Sequence, residues 1–149
     1  MVGWREWLAL PELGVDKVKA KVDTGAKTST LHAFDIEYFS QDGQLMVHFK
    51  VHPRQRDTRF VVAATAAVLD QRRIRNSGGA VQYRPVIGTC AVMGNQQWPI
   101  ELTLTNRDVM GFRMLLGREA VRHRFLVDAG SSYLMSPRKV LPFRHCHNQ

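Results

Sequence analysis

The run Val18-Lys19-Ala20-Lys21-Val22 alternates apolar and polar residues, a period of two that belongs to a half-buried strand. It extends to a strand over Val15–Val22, separated by Pro11-Glu12-Leu13-Gly14 from a first strand over Trp4–Leu10. Thr28–Phe39 is rich in strand formers, and Ser40-Gln41-Asp42-Gly43 turns the chain back into Leu45–Val51. Pro53 ends that strand and Phe60-Val61-Val62-Ala63 opens another. A turn at Arg75-Asn76-Ser77-Gly78-Gly79 lies between Arg72–Arg75 and a strand over Ala80–Val92, and Gly94-Asn95 makes a hairpin into Trp98–Thr105. The one helix the pattern predicts is short, Arg118–His123, following Met114-Leu115-Leu116-Gly117. Many short strands with regularly spaced turn signals predict an all-β, barrel-like domain with one short helix.

At 149 residues with 44% hydrophobic content, the chain is sized for one domain with a real core. The expected division is a domain over residues 1–137 and a loose C-terminal tail over 138–149. Two cysteines, Cys90 and Cys146, are too few for a disulfide framework and favour a reducing compartment. The charged start, Met1-Val2-Gly3-Trp4-Arg5-Glu6-Trp7, is unlike a signal peptide, and the longest apolar run, Phe60–Leu69, is about half a membrane span. The expectation is a cytoplasmic protein without a membrane partner. A net charge of +8 then asks for a polyanion: an acidic peptide, a ribosomal surface or a nucleic acid. Arg54, Arg56, Arg59, Arg72, Arg73 and Arg75 face only Asp57 and Asp70 nearby in sequence, and the guanidinium fork suits carboxylate and phosphate alike.

The sharpest chemical signal follows the alternating strand. Asp23-Thr24-Gly25-Ala26 sets an aspartate on a tight turn at a strand end, the way acid peptidases present a catalytic carboxylate. Gly25 lets a backbone amide approach that carboxylate, Thr24 can brace the turn, and Ala26 keeps the mouth narrow. A bare Asp-Thr-Gly is also an ordinary turn sequence, so its context has to decide.

That context is a motif order. Val22–Ala26, the loop Asn76–Gly79 with its strand to Arg84, and Leu115-Leu116-Gly117-Arg118-Glu119 together resemble a retropepsin protomer. The longer strings Asp23–Ala33 and Arg84-Pro85-Val86-Ile87 resemble a retropepsin-like bacterial family labelled as an ATP-dependent zinc protease, and the resemblance runs from Leu10 to Leu134. It implies a retropepsin-like acid-protease β-barrel. The label itself finds no support in the residues: no His-Glu-x-x-His pair, no phosphate-binding Gly-rich loop with Lys-Ser/Thr. His145 and His147, separated by Cys146, have no third partner nearby, and a structural zinc site wants four ligands. No metal and no cofactor are expected.

Aspartic chemistry needs two facing carboxylates that share one proton. One chain supplies one clear motif, so the second should be Asp23 of another copy in a symmetric homodimer. Asp128-Ala129-Gly130 is a rival within the chain, but lobes of about 75 residues are small for closed β units. Gly78 and Gly79, with Ser77, form the candidate flap over the substrate. Lys27 and Arg84 are the candidate carboxylate-binding residues, and His32 could line the site. Arg118 is a weaker candidate, since the arginine after this glycine is chiefly structural in retropepsins.

The family includes a ribosomal-modification protease. The resemblance therefore implies an aspartic peptidase that trims glutamates added to the C-terminus of ribosomal protein S6, with an ATP-grasp glutamate ligase as functional partner. Two other readings stand beside it: a retropepsin fold that only binds acidic peptides or the ribosome, and a basic barrel that binds RNA. Phe39, Phe49, Phe60 and Tyr83 are scattered, which disfavours an RNA platform.

Overall fold

A computed structural model describes residues 1–54, 57–75, 78–106 and 111–135. Ten strands, a 3-10 turn (Pro11–Leu13, between the first two strands) and one α-helical turn follow in the order β1 (Val2–Leu10), β2 (Val15–Asp23), β3 (Ser29–His32), β4 (Phe34–Gln41), β5 (Gln44–Val51), β6 (Val62–Arg75), β7 (Val81–Met93), β8 (Gln96–Thr105), β9 (Met114–Gly117), α1 (Arg118–Val121) and β10 (Val127–Ser132). β1, β2, β9, β3, β8 and β7 close into a six-stranded barrel, the ring completed by Ala9 pairing with Val92. β6, β5 and β4 continue outward from β7, while β10 lies parallel to β1. The all-β barrel with one short helix is thus the observed fold.

The alternation that marks β2 is structural. Val18, Ala20 and Val22 are buried, whereas Lys17, Lys19 and Lys21 point away from the core. β5 repeats the device with Val47, Phe49 and Val51, each fully buried. Leu31, Leu102, Leu104, Met114 and Leu116 fill the barrel interior, each large side chain contributing roughly 1.5–3 kcal/mol by leaving water. Trp98 joins α1 to this core: its indole N–H donates to Ala120 O at 3.0 Å, and its ring packs 5.1 Å from Phe125.

Several boundaries differ from the sequence pattern. Thr28–Phe39 is two strands divided at Ala33, because β3 enters the barrel parallel to β8 whereas β4 leaves it to pair antiparallel with β5. Val62-Ala63 and Arg72–Arg75 belong to one long strand, β6, which pairs antiparallel with β7, whereas Phe60 and Val61 precede it. The helix is a single turn, and His123 beyond it takes a left-handed φ of 64°. Cys90 is fully buried on β7. The tail over 138–149, with His145, Cys146 and His147, also lies outside the described residues. No helix among the described residues is long and apolar enough to cross a membrane.

Candidate active site

Asp23 is the last residue of β2 and is half-buried. The turn that follows is closed by two bonds: Gly25 N–H donates to Asp23 Oδ1 at 2.9 Å, and Ala26 N–H donates to Asp23 O at 3.2 Å. A Cβ on residue 25 would sit 3.1 Å from Oδ1, so glycine there leaves room for the amide to approach the carboxylate. Asp23 Oδ2 has no hydrogen-bond partner among the described residues. One oxygen is therefore held by the backbone and the other is left for a water or a second acid.

The turn rests on the start of α1. β2 and β9 run parallel with Asp23 paired to Gly117. Arg118 N–H donates to Ala26 O at 2.8 Å, Glu119 N–H to Lys27 O at 3.1 Å, and Arg118 Nη1 to Gly25 O at 3.3 Å. Gly117 N–H donates to the buried Ser29 Oγ at 3.0 Å. The strings Asp23–Ser29 and Leu115–Glu119, far apart in sequence, form one hydrogen-bonded unit. Arg118 has the structural position that retropepsins imply.

A cavity of about 730 Å³ lies beside this unit. Lys27, Thr28 and Ser29 from the turn, Glu119 from α1, Arg72 from β6 and Glu101 from β8 contribute to its wall. Lys27 lines this cavity, but Asp23 does not. Arg84 does not line it either. It sits opposite Arg72 on the β6–β7 hairpin, two residues before the lining Val86, and is half-buried. Gly78 and Gly79 occupy the hairpin tip, Gly79 with φ 86°, while Ser77 lies outside the described residues. His32 is apart: it pairs with Thr105, its N–H donates to Arg113 O at 2.8 Å, and it lines no part of the cavity. Thr24 is exposed at the turn.

Sequence reasoning missed Arg72 as a cavity residue. It lay inside an arginine run with no signal to choose among its members; only the β6–β7 register sets it opposite Arg84. The wall is also mixed in charge, since Glu12, Glu101 and Glu119 stand with Lys27 and Arg72.

Asp128 repeats the local geometry of Asp23 but not its availability. Gly130 N–H donates to Oδ1 at 2.9 Å and Ser131 Oγ–H to Oδ2 at 2.8 Å, so both oxygens are occupied. The Gly130 amide first, and the Ser131 hydroxyl second, hold this carboxyl below the usual aspartate range. A carboxylate so stabilised in its ionised form is poorly suited to sharing a proton.

A family described as "Retropepsin-like aspartic endopeptidase RimB" matches residues 1–138. The chain belongs to this RimB-like family. The RimB-like fold is also seen in a solved structure of a Legionella pneumophila protein of unknown function, 25% identical, with a TM-score of 0.73 over 91% of this chain and 97% of that one. Curated relatives carry a different description. "Probable alpha-L-glutamate ligase" of Parasynechococcus marenigrum is 51% identical over 89% of this chain, and the protein of the same description from Desulfotalea psychrophila is 50% identical over 86%. The match takes in only 28% of either relative's length. Among the described residues no group of three His, Cys, Asp or Glu side chains could hold a metal ion.

Proposed function

We propose that this chain is a homodimeric aspartic peptidase that hydrolyses glutamate-rich peptides in the cytoplasm. The observation that carries the reading is Asp23, with Oδ1 held by the Gly25 amide and Oδ2 uncommitted on a turn braced by α1. Two such turns facing across a two-fold axis would share one proton. The ionised Asp23 takes a proton from a water held between the two carboxyls, and the water oxygen attacks the scissile carbonyl carbon. The protonated Asp23 donates to the carbonyl oxygen, giving a neutral gem-diol. Its collapse breaks the C–N bond while a proton passes to the leaving amine.

The substrate we propose is the glutamate-extended C-terminus of ribosomal protein S6. The relatives described as glutamate ligases supply the support: in them a domain like this one is part of a chain whose description concerns glutamate ligation. A hydrolase domain beside a ligase would shorten what the ligase extends, and an ATP-grasp glutamate ligase is the functional partner we propose. Lys27 and Arg72 in the cavity wall offer cations to substrate carboxylates. The flap formed by β6 and β7 would close over the chain.

The ligase description also favours a second reading, in which this domain only holds acidic product for a separate catalytic unit. Incubation with an octaglutamate peptide, read by mass spectrometry, separates the two. Shortened products from the native chain and none from Asp23→Asn support the peptidase. An intact peptide that nevertheless binds supports the module.

A further inference from the structure

The mixed charge of the cavity wall leaves most of the net +8 elsewhere, and much of it lies on the outer face of β1 and β2. The cross-strand pairs Arg5–Lys21 and Trp7–Lys19 set these four side chains on one face. Arg5 lies over Trp4 at 4.7 Å and over Tyr133 at 5.1 Å, and its Nε donates to Ser132 Oγ at 3.1 Å. Lys17 lies 4.4 Å from the Trp7 ring, and Lys19 reaches Trp7 and Phe112, each at 5.7 Å. Arg5, Lys17 and Lys19 form no ion pair with a carboxylate among the described residues.

Position along β2 gives this face a direction. Lys17, Lys19, Lys21 and Asp23 occupy alternate residues, so three cations at intervals of about 6.6 Å lead along one side of the strand to the candidate catalytic acid. We propose that this face is a docking track for the extended acidic chain whose far end lies at Asp23. The inference rests on the acidic-peptide reading above and adds to it a second binding surface, outside the cavity.

The rings favour an acidic peptide over a nucleic acid. A single-stranded nucleic acid is held by bases stacking on open aromatic faces. Here Trp7 stacks on Tyr133 with ring planes 16° apart, Lys17 lies over Trp7, and Arg5 lies over Trp4 and Tyr133. The aromatic faces already carry cations or each other. Their effect is to order long basic side chains before a ligand arrives, which lowers the entropic cost of binding carboxylates.

Length dependence tests the proposal. From Asp23 to Lys17 an extended chain covers about 20 Å, more than a tetraglutamate reaches and less than a decaglutamate does. Fluorescent tetra- and decaglutamate are titrated into the full chain carrying Asp23→Asn, so that cleavage cannot consume them, and anisotropy is read. Decaglutamate should bind about tenfold more tightly at low salt, with the gap closing as salt rises. Lys17→Ser with Lys19→Ser should abolish the gap, and Lys17→Arg with Lys19→Arg should keep it. Thermal melting checks that the serine pair is folded; if it is not, the exposed single change Lys17→Glu takes its place with the same loss expected. No gap in the parent protein, or a gap that survives loss of both lysines, overturns the track. Decauridylate binding more tightly than decaglutamate through these same lysines also overturns it, in favour of RNA. Length-dependent binding in a protein whose Asp23 form cleaves nothing would leave the track standing and remove only the peptidase reading.

Discussion

Asp23 pairs with Gly117 across the parallel β2–β9 ladder, and Gly117 touches the turn from the other side. A Cβ at Gly117 would lie 2.5 Å from both the carbonyl carbon and the oxygen of Thr28, and 3.0 Å from Ala26 O. These are backbone atoms, which cannot swing aside as a side chain would. Gly117→Ala should displace the 26–28 segment, costing about 1–3 kcal/mol in stability by overpacking, together with any activity. A chemical melt and an octaglutamate assay check it; a variant with native midpoint and native rate would show that the turn does not depend on this approach.

Asp128 yields a pH prediction. Its folded pKa is lowered by the Gly130 amide and the Ser131 hydroxyl, so the unfolded chain binds a proton more readily than the folded one. Its contribution to stability is therefore full above the ordinary aspartate pKa and is lost as the pH falls through the lower, folded value. Asp128→Asn should flatten the acid side of the stability curve while leaving any peptide cleavage at neutral pH in place. An unchanged acid limb would show that the turn at 128–131 does not contribute to acid stability.

The Asp-Thr-Gly-Ala turn was legible in the sequence because its geometry is local: Asp23, Gly25 and Ala26 close it among themselves. Hairpins such as β4–β5 were legible for the same reason, with Asp42-Gly43 at the tip. The parallel pairings β2–β9 and β3–β8 join segments about 70 to 95 residues apart, and four-residue strands carry too little pattern to announce their partners. The aromatic count was misjudged by position. Phe39, Phe49, Phe60 and Tyr83 are indeed dispersed, and Phe49 is core, but Trp4, Trp7, Phe112 and Tyr133 come together only once β10 lies beside β1 and β9 beside β2. Arg72 was hidden among its neighbours until the β6–β7 register was known.

Glu6 is a fully buried carboxylate on β1, and it secures the end of the described chain. Its Oε2 accepts from Gly3 N–H at 2.7 Å and from Leu134 N–H at 2.7 Å, and Oε1 from Met135 N–H at 3.1 Å. Glu6→Ala would strand three backbone donors at about 1–3 kcal/mol each, so a loss of at least about 3 kcal/mol is expected. Hydrogen exchange should show the amides of residues 134 and 135 losing protection first. A loss below about 1 kcal/mol would mean that water replaces the carboxylate at little cost.

A site shared by two copies, as proposed, would show in mixed subunits. Asp23 has one uncommitted oxygen and Asp128 has none among the described residues, so a catalytic pair built within one chain lacks its second acid. If the pair is Asp23 with Asp23 of a second copy, a mixed dimer of native and Asp23→Asn subunits is inactive. Native protein held at constant amount, and equilibrated with an equal amount of the variant above the dimer dissociation constant, should then lose about half its activity by random pairing. Ninefold excess of variant should leave about one tenth. Dilution below the dissociation constant should lower specific activity in the native protein alone. A site contained in each chain behaves differently: added variant leaves native activity unchanged at every ratio. The ratio series therefore distinguishes a shared site from one built within each chain, and analytical ultracentrifugation at the assay concentration confirms that subunits have exchanged into dimers.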